Sequence, residues 1–291
     1  MTRGLLWLVL IAFAAGVPGV RADTGHHTFW SVKGGHNTVY LLGSVHVLKP
    51  DDRELPPEAL RAYAGAKAVV MEIDLNEATP ESLLASGLGD EVLPEGQTLS
   101  AVLGPEAHAK LEARVKPLGL DMEFLEHFQP WFAAVTVVQL ELSRLGFEGG
   151  SGVDAQFAAR AKADHKPIIA LETLHEQLGM FSHLSMDQQR RFLLYSLDDL
   201  DDSVAEMPAI VAAWRGGDTK TLERLLTEGF DQFPDLFRIL TTERNRRWVA
   251  TLDGLLHEDQ DYLVVVGALH LVGRDGVVEL LQRRGYKTEQ R

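Results

Sequence analysis

The sequence predicts an α/β fold, with a mainly parallel central sheet flanked by helices and a helical insertion or cap. Three observations carry this. Short apolar runs rich in β-branched residues alternate with helical patterns, as in a parallel sheet covered on both faces. Four of those runs end in a side chain able to bind a metal or move a proton. Two helix-rich stretches, about 95–150 and 185–258, form the insertion.

The chain opens with a basic Met1-Thr2-Arg3, an almost wholly apolar stretch from Leu5 to Val17, and a small-x-small pattern at Val20-Arg21-Ala22. This is the pattern of a secretory signal peptide over residues 1–22, leaving 23–291 as the mature α/β domain. The apolar run is shorter than the about 20 residues a membrane helix needs, with a retained N-terminal anchor as the alternative. The expected location is therefore export, to the periplasm. The chain has no cysteine, so a lipid anchor through cysteine and any disulfide are excluded, and stability must come from a packed core. Its formal charge is −14, and loss of Arg3 and Arg21 with the leader makes it more negative. Such a chain repels phosphate backbones and anionic lipid heads, so neither nucleic acid nor a membrane surface is an expected partner after signal cleavage.

The first predicted elements are two strands, Thr28 to Lys33 and Thr38 to Leu42, joined by Gly34-Gly35-His36-Asn37 as a hairpin. Pro56-Pro57 opens a short helix to about Lys67, and the apolar run from Ala68 to Ile73 is the next strand. Pro105 and Pro130 occupy the favoured first turn of two helices. In the second, Trp131, Val135, Val138, Leu142 and Leu145 mark one buried face, and Gly146 ends it. A helix from about Val153 to Ala163 leads to a strand at Pro167 to Glu172. Ser185 and Gln188 form a capping box for a helix running towards Asp198, and helical patterns persist to about Leu256 with breaks near Gly216-Gly217 and Pro234. The run Tyr262 to Val266, a helix from Val277 to Arg284 and a short strand at Tyr286 to Thr288 complete the chain.

The chemistry is expected where the strands end. Val39 to Leu42 runs into Gly43-Ser44-Val45-His46, and Val264 to Val266 runs into Gly267-Ala268-Leu269-His270. Val69 to Met71 ends in Glu72, and Ile168 to Leu171 ends in Glu172. In a parallel sheet all carboxyl ends lie along one edge, where α/β proteins bind ligands. The glycine ahead of each histidine permits positive φ or close backbone approach. Two imidazoles and one or two carboxylates suit a divalent metal, Mn, Co or Zn, with an open position, and the remaining carboxylate is then available as a base. The alternative without metal is a His-Glu pair transferring protons. Each feature has a plainer explanation: a strand-end histidine is often structural, Glu172 beside Thr173 can cap the next helix, and Arg244-Asn245 can sit on a solvated helix face over a buried Trp248. HExxH, G-x-S-x-G, Walker and dinucleotide signatures are absent from the sequence.

Taken in order, Leu-Leu-Gly-Ser-Val-His46, Val-Met-Glu72, Gly152-Val153-Asp154, Leu171-Glu172-Thr173, Arg244-Asn245 and Val-Gly-Ala-Leu-His270-Leu-Val-Gly273 resemble the TraB/GumN family, and with it the Tiki metalloproteases. The resemblance runs from about 29 to 289. It implies an α/β protein with two G-x-x-H motifs and, in the Tiki branch, cleavage of peptides near their N-termini with Mn²⁺ or Co²⁺. His46, Glu72 and His270 are then the metal-site residues, Glu172, Arg244 and Asn245 their supports, and Asp154 a structural residue of the same frame. The expected activity is that of an exported metal-dependent peptidase acting on a peptide or protein. The alternative is a non-enzymatic protein that sequesters a peptide or haem.

Overall fold

The structure, a computed structural model, describes residues 27–76, 91–228 and 230–291; the segment 1–22 expected to be a signal peptide lies outside them. Strands β1 (Phe29–Lys33) and β2 (Thr38–Ser44) form the predicted hairpin, antiparallel with Phe29 opposite Leu42 and Lys33 opposite Thr38. Its connection is tied down by Asn37, whose Nδ2 donates to the carbonyls of Leu255 and Gln260, each at 2.8 Å. Helix α1 (Pro57–Gly65) then leads to β3 (Ala68–Met71).

The next helices are α2 (Leu99–Leu103), α3 (Pro105–Val115), α4 (Met122–Leu125) and α5 (Pro130–Arg144). Prolines open α3 and α5 as the sequence suggests, and Gly146 follows α5 with φ of 90°. After α6 (Val153–Ala163) and β4 (Ile168–Ala170) come α7 (Leu174–Ser182) and the long α8 (Met186–Arg215).

Helix α8 starts at the predicted capping box but continues well past Asp198. The physical reason is its apolar face: Leu193, Leu197, Leu200, Met207, Ile210, Val211 and Trp214 are all buried, so packing carries the helix through Pro208. Its far end is pinned to the sheet, with Trp214 Nε1 donating to the Gly43 carbonyl at 2.7 Å and Thr28 Oγ1 to that of Trp214 at 2.7 Å. Helix α5 packs along α8, forming the centre of the helical cap.

The chain continues through α9 (Thr219–Thr227), the single turn α10 (Pro234–Phe237), a π-helical segment at Arg238–Thr242 and α11 (Glu243–Leu255). Strand β5 (Tyr262–Gly267), α12 (Val277–Arg283) and β6 (Thr288–Gln290) close it, the last strand falling two residues later than its apolar pattern suggests. Among the described residues, no helix is long and apolar enough to cross a membrane.

The six strands form one sheet in the order β4-β3-β5-β2-β1-β6. Strands β4, β3, β5 and β2 are mutually parallel, whereas β1 is antiparallel to both its neighbours. Strands β3 and β5 are buried along their whole length, as expected for parallel strands covered on both faces. Strand β4 is the exception because it is an edge, and its residues are only half-buried or exposed. The strand order makes the four candidate strand ends immediate neighbours, in the sequence Glu172, Glu72, His270, His46.

Candidate active site at the strand ends

Glu72, one residue past β3, is buried and accepts the Gly267 N–H on Oε1 at 2.7 Å. Its Oε2 accepts from Gln177 Nε2 at 3.1 Å and from Arg244 Nη2. Glu172 accepts from Arg244 Nε at 3.1 Å on one oxygen, and from Arg244 Nη2 and Gln177 Nε2 on the other. One guanidinium therefore bridges two buried carboxylates. It also donates through Nη1 to the Leu240 carbonyl at 2.9 Å and to His270 Nε2 at 3.0 Å.

The solvated-face reading of Arg244 is thus overturned: only 4% of the residue is exposed, and its guanidinium lies over the Trp248 ring. The π-helical turn just before α11 supplies the Leu240 carbonyl, and such turns recur at functional positions. Glu172 does not cap the following helix either. Thr173 does that, in a reciprocal capping box with Glu176, which leaves Glu172 free to meet Arg244.

His270 is held from its other side. Asn245 Nδ2 donates to the Asp275 carbonyl at 2.8 Å, so Asn245 Oδ1 is the acceptor for His270 Nδ1–H at 2.7 Å. That fixes the tautomer with the lone pair on Nε2, where Arg244 meets it. His46 is oriented by Asp154 in the first turn of α6, with Nδ1 donating to Oδ2 at 2.8 Å and Nε2 turned towards Gly267. The His46 side chain is 31% exposed, so this imidazole is the open face of the site.

Electrostatics follow from this wiring. Burial pulls the His46 imidazole down, but the Asp154 carboxylate, its hydrogen bond and Glu72 outweigh this and raise it to about 9. Burial, with Arg244 adding to it, pushes His270 down to about 3, so it is neutral at physiological pH. Burial opposes ionisation of Glu72, yet Arg244, His270 and His46 hold it well below the usual carboxylate range. For Glu172 burial prevails over Arg244, and the carboxyl is raised.

The glycines ahead of the histidines serve close approach rather than left-handed backbone, since neither Gly43 nor Gly267 has positive φ. A methyl group on Gly43 would meet Thr28 Cγ2 at 2.5 Å. One on Gly267 would lie 3.2 Å from Glu72 Oε1, 3.4 Å from His46 Nε2 and 3.5 Å from His270 Cδ2. The space over Gly267 is therefore common to all three side chains. It opens into a pocket of about 310 Å³ whose polar end is formed by His46, Asp154, Glu72, Gln177, Arg244 and His270. Glu172 and Asn245 do not border this pocket; they act on it through Arg244 and His270.

The donor set fits a divalent ion by chemistry, with two imidazoles and a carboxylate, and by the space over Gly267 that His46 Nε2 and Glu72 Oε1 flank. The third donor is committed elsewhere, because Arg244 occupies the His270 Nε2 lone pair. Accordingly, no group of three His, Asp or Glu among the described residues converges as a metal site. Sequence reasoning missed Gln177, which carries no signal beyond a polar residue on a helix. It also took Asp154 for part of the frame, although an acid in a helix's first turn is placed to reach a strand-end imidazole.

A parallel sheet carrying paired G-x-x-H strand ends over buried glutamates defines a recognisable class of α/β protein. The chain belongs to the TraB/PrgY/gumN family, whose model matches residues 28–290. It is 25% identical to the uncharacterized protein YbaP of Escherichia coli, over 89% of this chain and 94% of that protein. It is also 22% identical to the metalloprotease TIKI1 of Danio rerio, over 98% of this chain and 69% of that protein. Human metalloprotease TIKI1 is 23% identical, over 89% of this chain and 61% of its own length. No solved structure gives a significant match.

Proposed function

We propose that the chain is an exported, periplasmic metal-dependent hydrolase that cleaves peptide bonds. The observation that carries this reading is that His46 Nε2 and Glu72 Oε1 flank one space over Gly267 beside the His270 ring, and that all three side chains line the same pocket. The distant likeness to the TIKI metalloproteases supports the reaction class. His46 and Glu72 would hold a Mn, Co or Zn ion, with His270 as third ligand once Arg244 releases its Nε2. A bound divalent ion supplies Lewis acidity, polarising a carbonyl and acidifying water towards neutral pH.

The chain's own groups prepare the site for that chemistry. Asp154 keeps the His46 proton on Nδ1 so that Nε2 faces the pocket, and Asn245 does the same for His270. Arg244 keeps Glu72 ionised and offsets the adjacent Glu172, while Gln177 ties the two carboxylates together. The apolar walls hold the substrate and exclude water.

A second reading rests on the hold of Arg244 on His270 Nε2. In it the guanidinium is the site's permanent cation, and the His46–Asp154 pair moves protons without any metal. Cleavage of a peptide mixture by the mature protein separates the two, with and without chelator and added Mn²⁺, Co²⁺ or Zn²⁺. Metal-restored cleavage lost in both His46→Ala and His270→Ala supports the first. Chelator-resistant cleavage lost only in His46→Ala supports the second. Binding of peptide or haem without turnover overturns both in favour of sequestration.

A further inference from the structure

Beyond its charged end, the pocket is a differently built space. Trp131 and Val135 from α5, Leu178, Met180 and Phe181 from α7, and Leu240 from the π-helical turn line it. Trp131 and Phe181 stack with ring centroids 5.4 Å apart, giving that wall a rigid aromatic surface. At about 310 Å³ the cavity is at the small end of ligand pockets, which span roughly 300–1,000 Å³, so it suits one large residue rather than a length of chain.

Three polar atoms on this cavity's lining residues are left without partners: Trp131 Nε1, Ser44 Oγ and Asp154 Oδ1. Trp131 is 2% exposed and Ser44 is fully buried, yet neither the indole Nε1 nor the hydroxyl Oγ has a hydrogen-bond partner among the described residues. A buried N–H without an acceptor is costly, and native structures rarely tolerate one without reason. Trp248 shares an unpartnered Nε1 but does not border the cavity. The indole of Trp131 is a donor only, so its missing partner is an acceptor such as a carbonyl oxygen. The apolar side chains that make up most of the lining disfavour a charged group beside them.

We propose that this cavity is the specificity pocket for a large uncharged apolar side chain of a peptide substrate, with Trp131 Nε1–H binding a carbonyl oxygen of the same substrate. This rests on the peptide-hydrolase reading of the site and adds its substrate class. Trp131 is here a specificity-determining residue, and the helical cap becomes the element that reads the side chain.

The test uses the mature chain and blocked amino-acid amides as probes, read through the tryptophan indole N–H signals in nitrogen-15 NMR. Trp131→Phe, which keeps an aromatic wall against Phe181, assigns the Trp131 signal. N-acetyl-phenylalaninamide and N-acetyl-leucinamide are expected to shift that signal downfield and saturably, while N-acetyl-alaninamide and N-acetyl-glutamate amide do not. Measured by calorimetry, since the variant lacks the indole signal, Trp131→Phe should weaken phenylalaninamide binding about fivefold to tenfold, the worth of one ordinary hydrogen bond. Val135→Phe, which narrows the cavity from a half-buried position, should weaken the large amides and leave no binding gain for alaninamide.

No saturable shift with either apolar amide, or an equal shift with alaninamide, overturns the proposal. The two layers fail separately. Apolar amides that bind while no peptide is cleaved keep the pocket and sink hydrolysis. Peptides cleaved without regard to apolar residues keep hydrolysis and sink the pocket.

Discussion

Replacing Arg244 by methionine removes the guanidinium bonded to both Glu72 and Glu172 while retaining an unbranched apolar stem. In the parent, the side chains of Arg244, Glu72 and Glu172 are 5%, 10% and 3% exposed, so water cannot take over the role of counter-ion. Breaking a buried pair from one side leaves uncompensated charge and costs about 3–5 kcal/mol. Here two carboxylates are stranded, which puts the expected loss at the upper part of that range, a fall in melting temperature of roughly 10–20 °C. Urea unfolding followed by circular dichroism in the presence of chelator measures it. The triple variant Arg244→Met, Glu72→Gln, Glu172→Gln carries no stranded charge and should regain most of the loss, because apolar or neutral replacements of whole buried pairs are often close to neutral. A loss below about 1 kcal/mol in the single variant, or a triple variant no more stable than the single, would refute the view of Arg244 as the site's buried cation.

Further outcomes follow from the same wiring. The metal-free protein should show two opposite histidine contributions to stability against pH. His46, raised to about 9, stabilises below its unfolded value of about 6.5 and loses that as pH rises through about 9; Asp154→Asn should flatten this alkaline fall. His270, lowered to about 3, resists protonation when folded, so stability is lost as pH falls from about 6.5, with a slope up to about 1.4 kcal/mol per pH unit that His270→Asn abolishes. Urea midpoints across pH 5 to 9 that do not respond to either variant would contradict the assigned environments. Gly267→Ala keeps an allowed backbone, φ being −49°, but fills the space between His46, Glu72 and His270; near-parental melting with cleavage reduced at least about 100-fold is the expected pairing. Gly152→Ala drives a methyl to 2.0 Å from the His46 carbonyl oxygen, so thermal unfolding should reveal a loss of about 1–3 kcal/mol from overpacking.

Much of this site is legible in sequence because parallel strands deliver their terminal residues to one edge. His46, Glu72, Glu172 and His270 each follow an apolar run, and strand order then makes them neighbours. That order is not itself written in local pattern. It is set by which buried faces pair, and β4 against β3 and β5 between β3 and β2 are long-range choices. Helix-borne members are harder to read. Arg244 lies close to Arg246 and Arg247, and only tertiary contact distinguishes the buried cation from these exposed neighbours. Trp131 reads as core by its spacing and is core by burial, yet its unpartnered nitrogen appears only when the cavity beside it is seen.

In the proposed hydrolase, His46, Glu72 and His270 bind one divalent ion in competition with Arg244. Titrating the chelator-treated mature protein with Co²⁺, by calorimetry and visible absorption together, tests it most directly. The expected result is about one ion per chain, lost in His46→Ala and in His270→Ala, and bound more tightly in Arg244→Met when folding is preserved. Absence of stoichiometric binding, or binding that both histidine variants leave unchanged, would contradict it.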